Sequence, residues 1–592
     1  MIDPALALRL VREEPIIAFD TETSGLSVID EICGWVITAP GNSIYVPVRH
    51  KGGGNVPAAE DFEAELNRAF ADRARCGFRT VGHNLGFDLR AAARSGVIIN
   101  GTLEDTMINE ALINDLTVGY GLDDCSARHK VQAKKGAEVY VELAKHFGGL
   151  ADRKQMANFH KLPGDNPIAV EYATGDGTTT LELWAKQQPA LDAADLRRVW
   201  KLECDLLPYL ARIHARGLRI DGDYATQVQI DIKQAIEAAQ SQFPLGFNAR
   251  SPKDVEGLYR ANGFTDTQFA KTDKGAVSFR EKWLEGNDIG RLILGVRRLE
   301  KARDSFIAPL VSTHNIGGRV FPVLNQSKSD DYGVAGARLS CSEPNLQAFP
   351  KRNIDIGRIV RRLVIPDGGF VIEEADAKQQ EPRLFTHYSE EPALVAGYRN
   401  GTMDMHDRAA EILGLDREVA KRLGMGMLTM MSVPTLAGHM GSTVEQARNW
   451  HGRFLSEAFP KIKEMQETVV SVFRRRGYVK TLLGRRAYCD DPRFAYRGVS
   501  RLIQNNGGDH IKLCILRACQ YEDAHPEVQV LLSIHDSLLW QRQPDHDATE
   551  LIRAIENVAD EMGLKVPIPF GLGSGPDWAR ASYGSKLDKY VD

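Results

Sequence analysis

Two aspartates, Asp376 and Asp536, each close a strand-like run. Gly369-Phe370-Val371-Ile372 leads to the first and Val528 to Ile534 to the second. Carboxylates this far apart in the chain form one site only if their two strands lie side by side. Such a pair could share two magnesium ions and serve in-line attack of a 3′ hydroxyl on a nucleotide α-phosphate. Each Asp alone is more often a strand-end turn residue.

Between them, Arg417 and Lys421 stand one helical turn apart, and Met425 and Thr429 continue the stripe. Arg and Lys on one helix face can grip a triphosphate and neutralise charge developing on pyrophosphate. Standing alone, the stripe reads as an exposed basic face. A second acidic set lies near the start. Asp20-Thr21-Glu22 follows the apolar run Ile16-Ile17-Ala18-Phe19, and alternate residues of a strand project to one side. Divalent cations favour such carboxylate oxygens, although a lone D-x-E is common on surface strands. The segment from Val81 to Asp88 adds a third carboxylate after a turn. Tyr172-Ala173-Thr174-Gly175-Asp176 puts a phenol and a fourth acid on one helix face. Four acids and a phenol suit two-metal phosphodiester hydrolysis, with Tyr172 orienting the attacking water. Singly, Asp88 and Asp176 read as helix caps or surface charge.

The 592 residues suggest roughly four units at about 150 residues each. Lys plus Arg is 74 and Asp plus Glu 79, a net charge of −5. That excludes a strongly basic coat but not a local basic cleft. Two basic runs, Lys351 to Arg362 and Arg474 to Arg486, make a phosphate-binding cleft an option. No apolar run reaches about 18 residues, so no membrane span is expected. The start carries Asp3, Glu13 and Glu14 rather than a basic-then-apolar leader. Eight Cys without CxxC spacing read as reduced thiols in a cytosol-like compartment, with no zinc site and no disulfide frame.

The first third alternates strand-like and helical stretches, an α/β pattern. Ile32 to Ile37 and Ser43 to Val48 are expected to pair with the Ile16-to-Phe19 strand. Leu191 to Arg216 reads as one long helix with Leu202, Leu206 and Leu210 on one face, broken by Gly217. Thr226 to Val311 reads as helical and polar with breaks at Pro252, Gly263 and Gly275. Gly317-Gly318 and Gly333 to Gly336 mark a loop-rich junction.

The ordered set F-D-x-E, N-x-x-x-D and Y-x-x-x-D resembles the three motifs of DEDDy 3′–5′ exonucleases over roughly residues 10–190. Further on, Arg338-Leu339-Ser340-Cys341-Ser342-Glu343-Pro344-Asn345-Leu346-Gln347 resembles the R-L-S-S-x-x-P-N-L-Q segment of family A DNA polymerases. Asp376 to Arg383 resembles their motif A, Arg417 to Met430 motif B, and His535-Asp536-Ser537 motif C. Asp404-Met405-His406, Gln504 to Lys512 and Gly573 to Trp578 also match family segments. Phe247 to Pro252 and Thr272-Asp273-Lys274-Gly275 match thumb signatures. The resemblance spans nearly the whole chain in order.

It implies an α/β multidomain protein: a ribonuclease-H-like 3′–5′ exonuclease domain followed by a right-hand polymerase of thumb, palm and fingers. The implied boundaries are 1–190 for the exonuclease and 191–335 for the thumb and start of the palm. The palm with motif A covers 336–392, the fingers 393–487, and the palm with motif C 488–592. That leaves no room for a separate 5′ nuclease domain, and the compact layout resembles a phage enzyme. By the same resemblance Asp20, Glu22, Asp88 and Asp176 bind one metal pair, with Tyr172 catalytic beside them. Asp376, Asp536 and the Ala377 carbonyl bind another. His406, Arg417 and Lys421 hold the triphosphate, Glu381 excludes a ribose 2′ hydroxyl, and Met425 and Thr429 face the nucleotide. Arg338, Gln347, Gln504 and His535 contact DNA, and the basic runs hold duplex phosphates. The cofactor is Mg2+, two per site, with Mn2+ able to substitute. Primer–template DNA and dNTPs are the partners, along with an unidentified replisome or processivity factor. A monomer in the host cytoplasm is expected.

The sequence also departs from the family. Ala377 replaces Tyr, Pro382 replaces Leu, and Met425 and Thr429 replace aromatics. Ser537 replaces Glu, and Ser500 stands where Asn is common. Proline disfavours a helical conformation at Glu381 before it. Three rivals follow. One is a single-subunit RNA polymerase, which Glu381 and the nuclease motifs oppose. Another is a 3′–5′ exonuclease whose polymerase part binds DNA but is weakly active or partner-dependent. The third is a non-enzymatic DNA-binding protein, which gains nothing from acids facing phosphates.

Overall fold

The computed structural model describes residues 1–132, 136–272, 275–327, 336–489 and 491–590. The thumb-signature residues Asp273 and Lys274 and most of the Gly333-to-Gly336 junction lie outside the described residues.

The N-terminal part is built on a five-stranded sheet in the order β3-β2-β1-β4-β5. Its strands are β1 (Ile16–Thr23), β2 (Ile32–Ala39), β3 (Asn42–Pro47), β4 (Arg79–Gly82) and β5 (Thr102–Asp105). β1, β2 and β3 run antiparallel in sequence order, while β4 and β5 lie parallel to β1. Thus β3 pairs with β2, not with β1 as expected, because the tight turn between β2 and β3 makes them a hairpin. Helix Pro167–Ala193 crosses this sheet. Gly177 allows the approach: a Cβ there would stand 2.1 Å from Thr38 Oγ1.

The expected long helix at 191–216 is two. One ends at Ala193, and a second runs Arg197–Arg216 with Leu202, Leu206 and Leu210 buried. Gly217, at φ 62°, then turns the chain as expected. Helices Gly222–Gln240 and Asp288–Lys301 pack together, and Tyr259, Phe269 and Leu284 form a small separate core. Pro252 opens helix Pro252–Ala261 rather than breaking one; its missing N–H costs nothing in a first turn.

The C-terminal half centres on a four-stranded antiparallel sheet. Its order is Val528–Ile534, Ser537–Arg542, Val371–Ala377, Phe570–Gly575. Helix Arg497–Ala524 packs against this sheet's edge strand. Between the Val371–Ala377 strand and that helix the described residues make seven α-helices, from Gln380–Ser389 to Pro460–Arg476. Among the described residues no helix is long and apolar enough to cross a membrane.

Candidate active sites

β1 carries Asp20 and Glu22 on one side, opposite Val36 and Gly34 of β2. Asp176, on the crossing helix, brings a third carboxylate. One oxygen from each of the three lies within 4.8 Å of the others. Asp88 is not in that cluster. It sits in the first turn of helix Leu85–Arg94 and is buried. Its Oδ1 accepts from Thr21 N (2.9 Å) and Thr21 Oγ1 (2.6 Å). Burial pushes its carboxyl up to about 7, against the pull of the Thr21 hydrogen bonds. Asp88 therefore braces the residue between Asp20 and Glu22. Tyr172 lies on the same helix as Asp176, packed near Phe159 with ring centroids 5.8 Å apart.

In the second sheet Asp376 pairs across from Ser537, and Asp536 sits in the tight turn joining two strands. The Ala377 N–H donates to the Asp536 carbonyl at 3.1 Å. The two strand-end aspartates are therefore neighbours, as the sequence required. Burial raises the Asp536 carboxyl, and the charge of Asp376 raises it further. His535, in the turn, is exposed and has φ 56°.

Lys351 was not foreseen as part of this site. Its ammonium donates to Asp376 Oδ2 (2.7 Å) and Glu374 Oε1 (2.9 Å). Glu374 is buried and also accepts from Trp578 Nε1 (3.0 Å), Arg361 Nη1 (3.2 Å) and the Ser582 hydroxyl. Burial would raise its carboxyl, but the charges of Lys351 and Arg361 carry the net shift downward. The signal was present in Val371-Ile372-Glu373-Glu374-Ala375-Asp376. Two acids inside a core strand demand buried cationic or donor partners.

Arg417, Lys421, Met425 and Thr429 form the expected stripe, but helix Arg417–Leu428 ends before Thr429. The Thr429 hydroxyl instead bonds back to the carbonyls of Met425 (3.0 Å) and Gly426 (3.1 Å). Arg417 is held by Asp404 (2.6 Å) and Asp407 (2.7 Å). Asp404 also caps helix Met405–Leu413, which holds His406. His406 is buried, which lowers its pKa; the charge of Asp404 opposes that, and Arg417 and Lys421 add to it. Glu381 lies within helix Gln380–Ser389 despite Pro382. Pro382 falls in the first turn, where backbone N–H groups have no helical partner to lose. Arg338 Nη2 donates to Glu381 at 2.9 Å. Gln347 donates to the Ser533 carbonyl at 3.0 Å, tying its loop to the Val528–Ile534 strand. Gln504 is half-buried on helix Arg497–Ala524.

The basic runs are divided. Arg474, Arg475 and Arg476 are exposed, but Arg361 and Arg485 are buried. Arg485 pairs with Glu203 and with Asp509, and Lys512 Nζ reaches Glu203 at 2.6 Å. These cations are committed inside the protein and are not available to duplex phosphates.

Residues 222–580 match the family described as DNA polymerase family A. The chain belongs to DNA polymerase family A. It is 30% identical to DNA polymerase DpoZ of Acinetobacter phage SH-Ab 15497, over 97% of this chain and 98% of that protein. DNA polymerase DpoZ of Vibrio phage phiVC8 is 28% identical over 95% of both. DNA polymerase I of Chloroflexus aurantiacus is 27% identical over 97% of this chain and 62% of its own length. Among solved structures, the POL domain of Pol1 from M. smegmatis, in complex with DNA primer-template and dNTP, aligns with TM-score 0.80. It is 21% identical, covering 98% of this chain and 99% of that one. This polymerase is therefore phage-type in its kinship, and its whole fold, N-terminal sheet included, has a solved counterpart. Members of the family generally use divalent metal ions. Both carboxylate clusters offer hard oxygen donors, which fit such ions.

Proposed function

We propose that this family A polymerase copies a DNA template by adding dNTPs to a primer 3′ end in DNA replication. We further propose that it removes mismatched ends at a second, 3′–5′ exonuclease site. The observation that carries the reading is the meeting of Asp376, on its strand, with Asp536, in the turn that opens the adjoining strand, inside the family match. The five-stranded sheet with Asp20, Glu22 and Asp176 clustered supports a ribonuclease-H-like nuclease. We keep the exonuclease at 1–190, the thumb and start of the palm at 191–335, and the palm at 336–392 and 488–592. The fingers lie at 393–487.

Asp376, Asp536 and the Ala377 carbonyl would hold one Mg2+ pair, and Asp20, Glu22 and Asp176, with Asp88 behind them, the other. When bound, the ions activate the attacking oxygen and stabilise the leaving one. The chain's own residues do the rest. Arg417, Lys421 and His406 take the triphosphate, once Arg417 leaves Asp404 and Asp407. Glu381, on a rigid helix start, meets the sugar. Arg338, Gln347, Gln504 and His535 follow the primer terminus. Tyr172 positions the water that cleaves the terminal phosphodiester.

Primer extension on a recessed template, with Mg2+ and dNTPs, tests this. Extension should be lost in Asp376→Ala alone and primer shortening in Asp20→Ala alone. Shortening in wild type with no extension even in Asp20→Ala would mean a nuclease with a DNA-binding remainder. Binding to primer–template should weaken with salt by about −0.9 in the log–log slope per phosphate neutralised; a salt-independent affinity would contradict the cleft.

A further inference from the structure

The hairpin that carries Asp536 has a second titratable cluster at its opposite end. His525 follows helix Arg497–Ala524, Glu527 immediately precedes strand Val528–Ile534, and His546 lies beyond strand Ser537–Arg542. One ligand atom from each comes within 4.8 Å of the other two. All three side chains are half-buried.

The backbone fixes this geometry. The Gln543 N–H donates to the Glu527 carbonyl at 2.9 Å, closing the base of the hairpin. The His546 N–H donates to the Gln543 carbonyl at 3.1 Å, curling the following loop back toward Glu527. The Val528 N–H donates to the His525 carbonyl at 3.0 Å. Tyr521 steadies both imidazoles. Its ring stacks on His525 with centroids 4.2 Å apart, and its hydroxyl meets His546 Nε2 at 3.0 Å. A hydrogen-bonded outer partner of this kind fixes the ring of a metal-ligating histidine.

We propose that His525, Glu527 and His546 bind a divalent transition metal of the zinc class. Two imidazoles and one carboxylate favour such an ion over Mg2+, which prefers an all-oxygen shell. The expectation of no zinc site rested on cysteine spacing and does not bear on this donor set. The role is structural. The cluster and Asp536 lie at opposite ends of a strand of seven residues, about 20 Å apart. A bound ion would clasp the helix end, the incoming strand and the outgoing loop, and so anchor the base of the catalytic hairpin.

The test is calorimetric titration of Zn2+ into the full chain at about pH 8, because metal binding competes with protons for its ligands. Excess Mg2+ is present to occupy the all-oxygen carboxylate clusters. Wild type should show one saturable zinc site and a higher thermal midpoint with zinc. The double variant His525→Gln/His546→Gln should lose both effects. Glu527→Gln, which keeps the side chain's shape, and Tyr521→Phe should each weaken binding about tenfold or more. The Co2+ adduct should show ligand-field bands without a thiolate charge-transfer band. Equal zinc binding by wild type and the double variant would overturn the proposal. So would the absence of a zinc site in wild type, or a thiolate band lost in Cys76→Ser.

Discussion

The two carboxylate sites use the same donors but are built in different ways. At the N-terminal site, Asp20 and Glu22 come from one strand and Asp176 from a helix laid across it through Gly177. One strand and one helix supply these donors, although 156 residues separate Asp20 from Asp176. At the C-terminal site, one strand brings Asp376 and the turn beside it brings Asp536, and among the described residues eight α-helices intervene before the chain returns. There a lysine already bridges Asp376 and the buried Glu374. Both sites close over a long stretch of chain, 156 residues from Asp20 to Asp176 and 160 from Asp376 to Asp536; the difference is that the second also depends on internal cations.

Several substitutions would break or sharpen this contrast. The largest effects belong to the aspartates. Asp536→Ala should lower extension by ~10³-fold or more, equivalent to ~4 kcal/mol of barrier, and leave shortening intact; steady-state assays of both reactions check it. Next come the internal cations. Lys512 is fully buried against Glu203, which also binds Arg485. Removing one partner of a buried charge cluster costs about 3–5 kcal/mol. Lys512→Met should therefore lower the denaturant midpoint sharply, and an unchanged midpoint would break the internal-cation half of the comparison.

The Lys351 bridge is only partly buried, so its electrostatic worth is ~0.2–1 kcal/mol. Lys351→Ile should reduce the Mg2+ needed for half-maximal extension by about 1.5- to 5-fold and leave that for shortening unchanged. Thr429→Tyr would exchange a back-bonding hydroxyl for a base-stacking ring, worth about 1–3 kcal/mol. Misinsertion ratios should fall; no change would mean the position does not face the nucleotide.

Acid supplies the most graded probe. Burial, helped by the charges of Arg90 and Arg94, lowers His214 to about 3, and burial lowers His510 to about 4. The folded protein keeps both neutral while the unfolded chain protonates them below about 6.5. Their contribution to stability is thus full above about 6.5 and is lost as pH drops toward 4, while buried Asp88 and Asp105, raised to about 7 and about 6, contribute in the opposite sense. The slope is about 1.4 kcal/mol per pH unit for each histidine. His510 lies behind the second sheet, where Gln380 Nε2 meets its Nδ1 at 3.0 Å. His510→Gln should flatten part of the slope in thermal melts taken from pH 7 to 4.

Much of this was legible in the sequence because it is local. The strand-end aspartates, the Tyr172–Asp176 helix face and the Arg417 stripe follow from periodicities of 2 and 3.6. Gly217 sits where backbone geometry puts it. What stayed hidden was pairwise and distant. Nothing near Arg485 announces that Glu203 and Asp509 will bury it, so its basic run reads as phosphate ligands throughout. Spacing offers Asp88 as a fourth ligand but does not reveal that Thr21 engages one of its two carboxylate oxygens. Lys351 falls in a run expected to hold duplex phosphates, although the two glutamates in the Val371–Ala377 strand require buried partners. Pro382 looked disruptive only because the helix start at Gln380 could not be placed to the residue.

The central claim is that two separate sites act in opposite directions on one primer 3′ end. It is tested most directly by supplying a matched primer–template, Mg2+ and only the next correct dNTP, and counting dNMP released. Each cycle adds a nucleotide with loss of pyrophosphate and then removes it as dNMP, so wild type should convert dNTP to dNMP continuously. Asp376→Ala and Asp20→Ala should each abolish that turnover, and mixing the two variants should restore it. Continued dNMP release by Asp20→Ala alone, or none from the mixture while each variant retains its remaining reaction, would contradict the account.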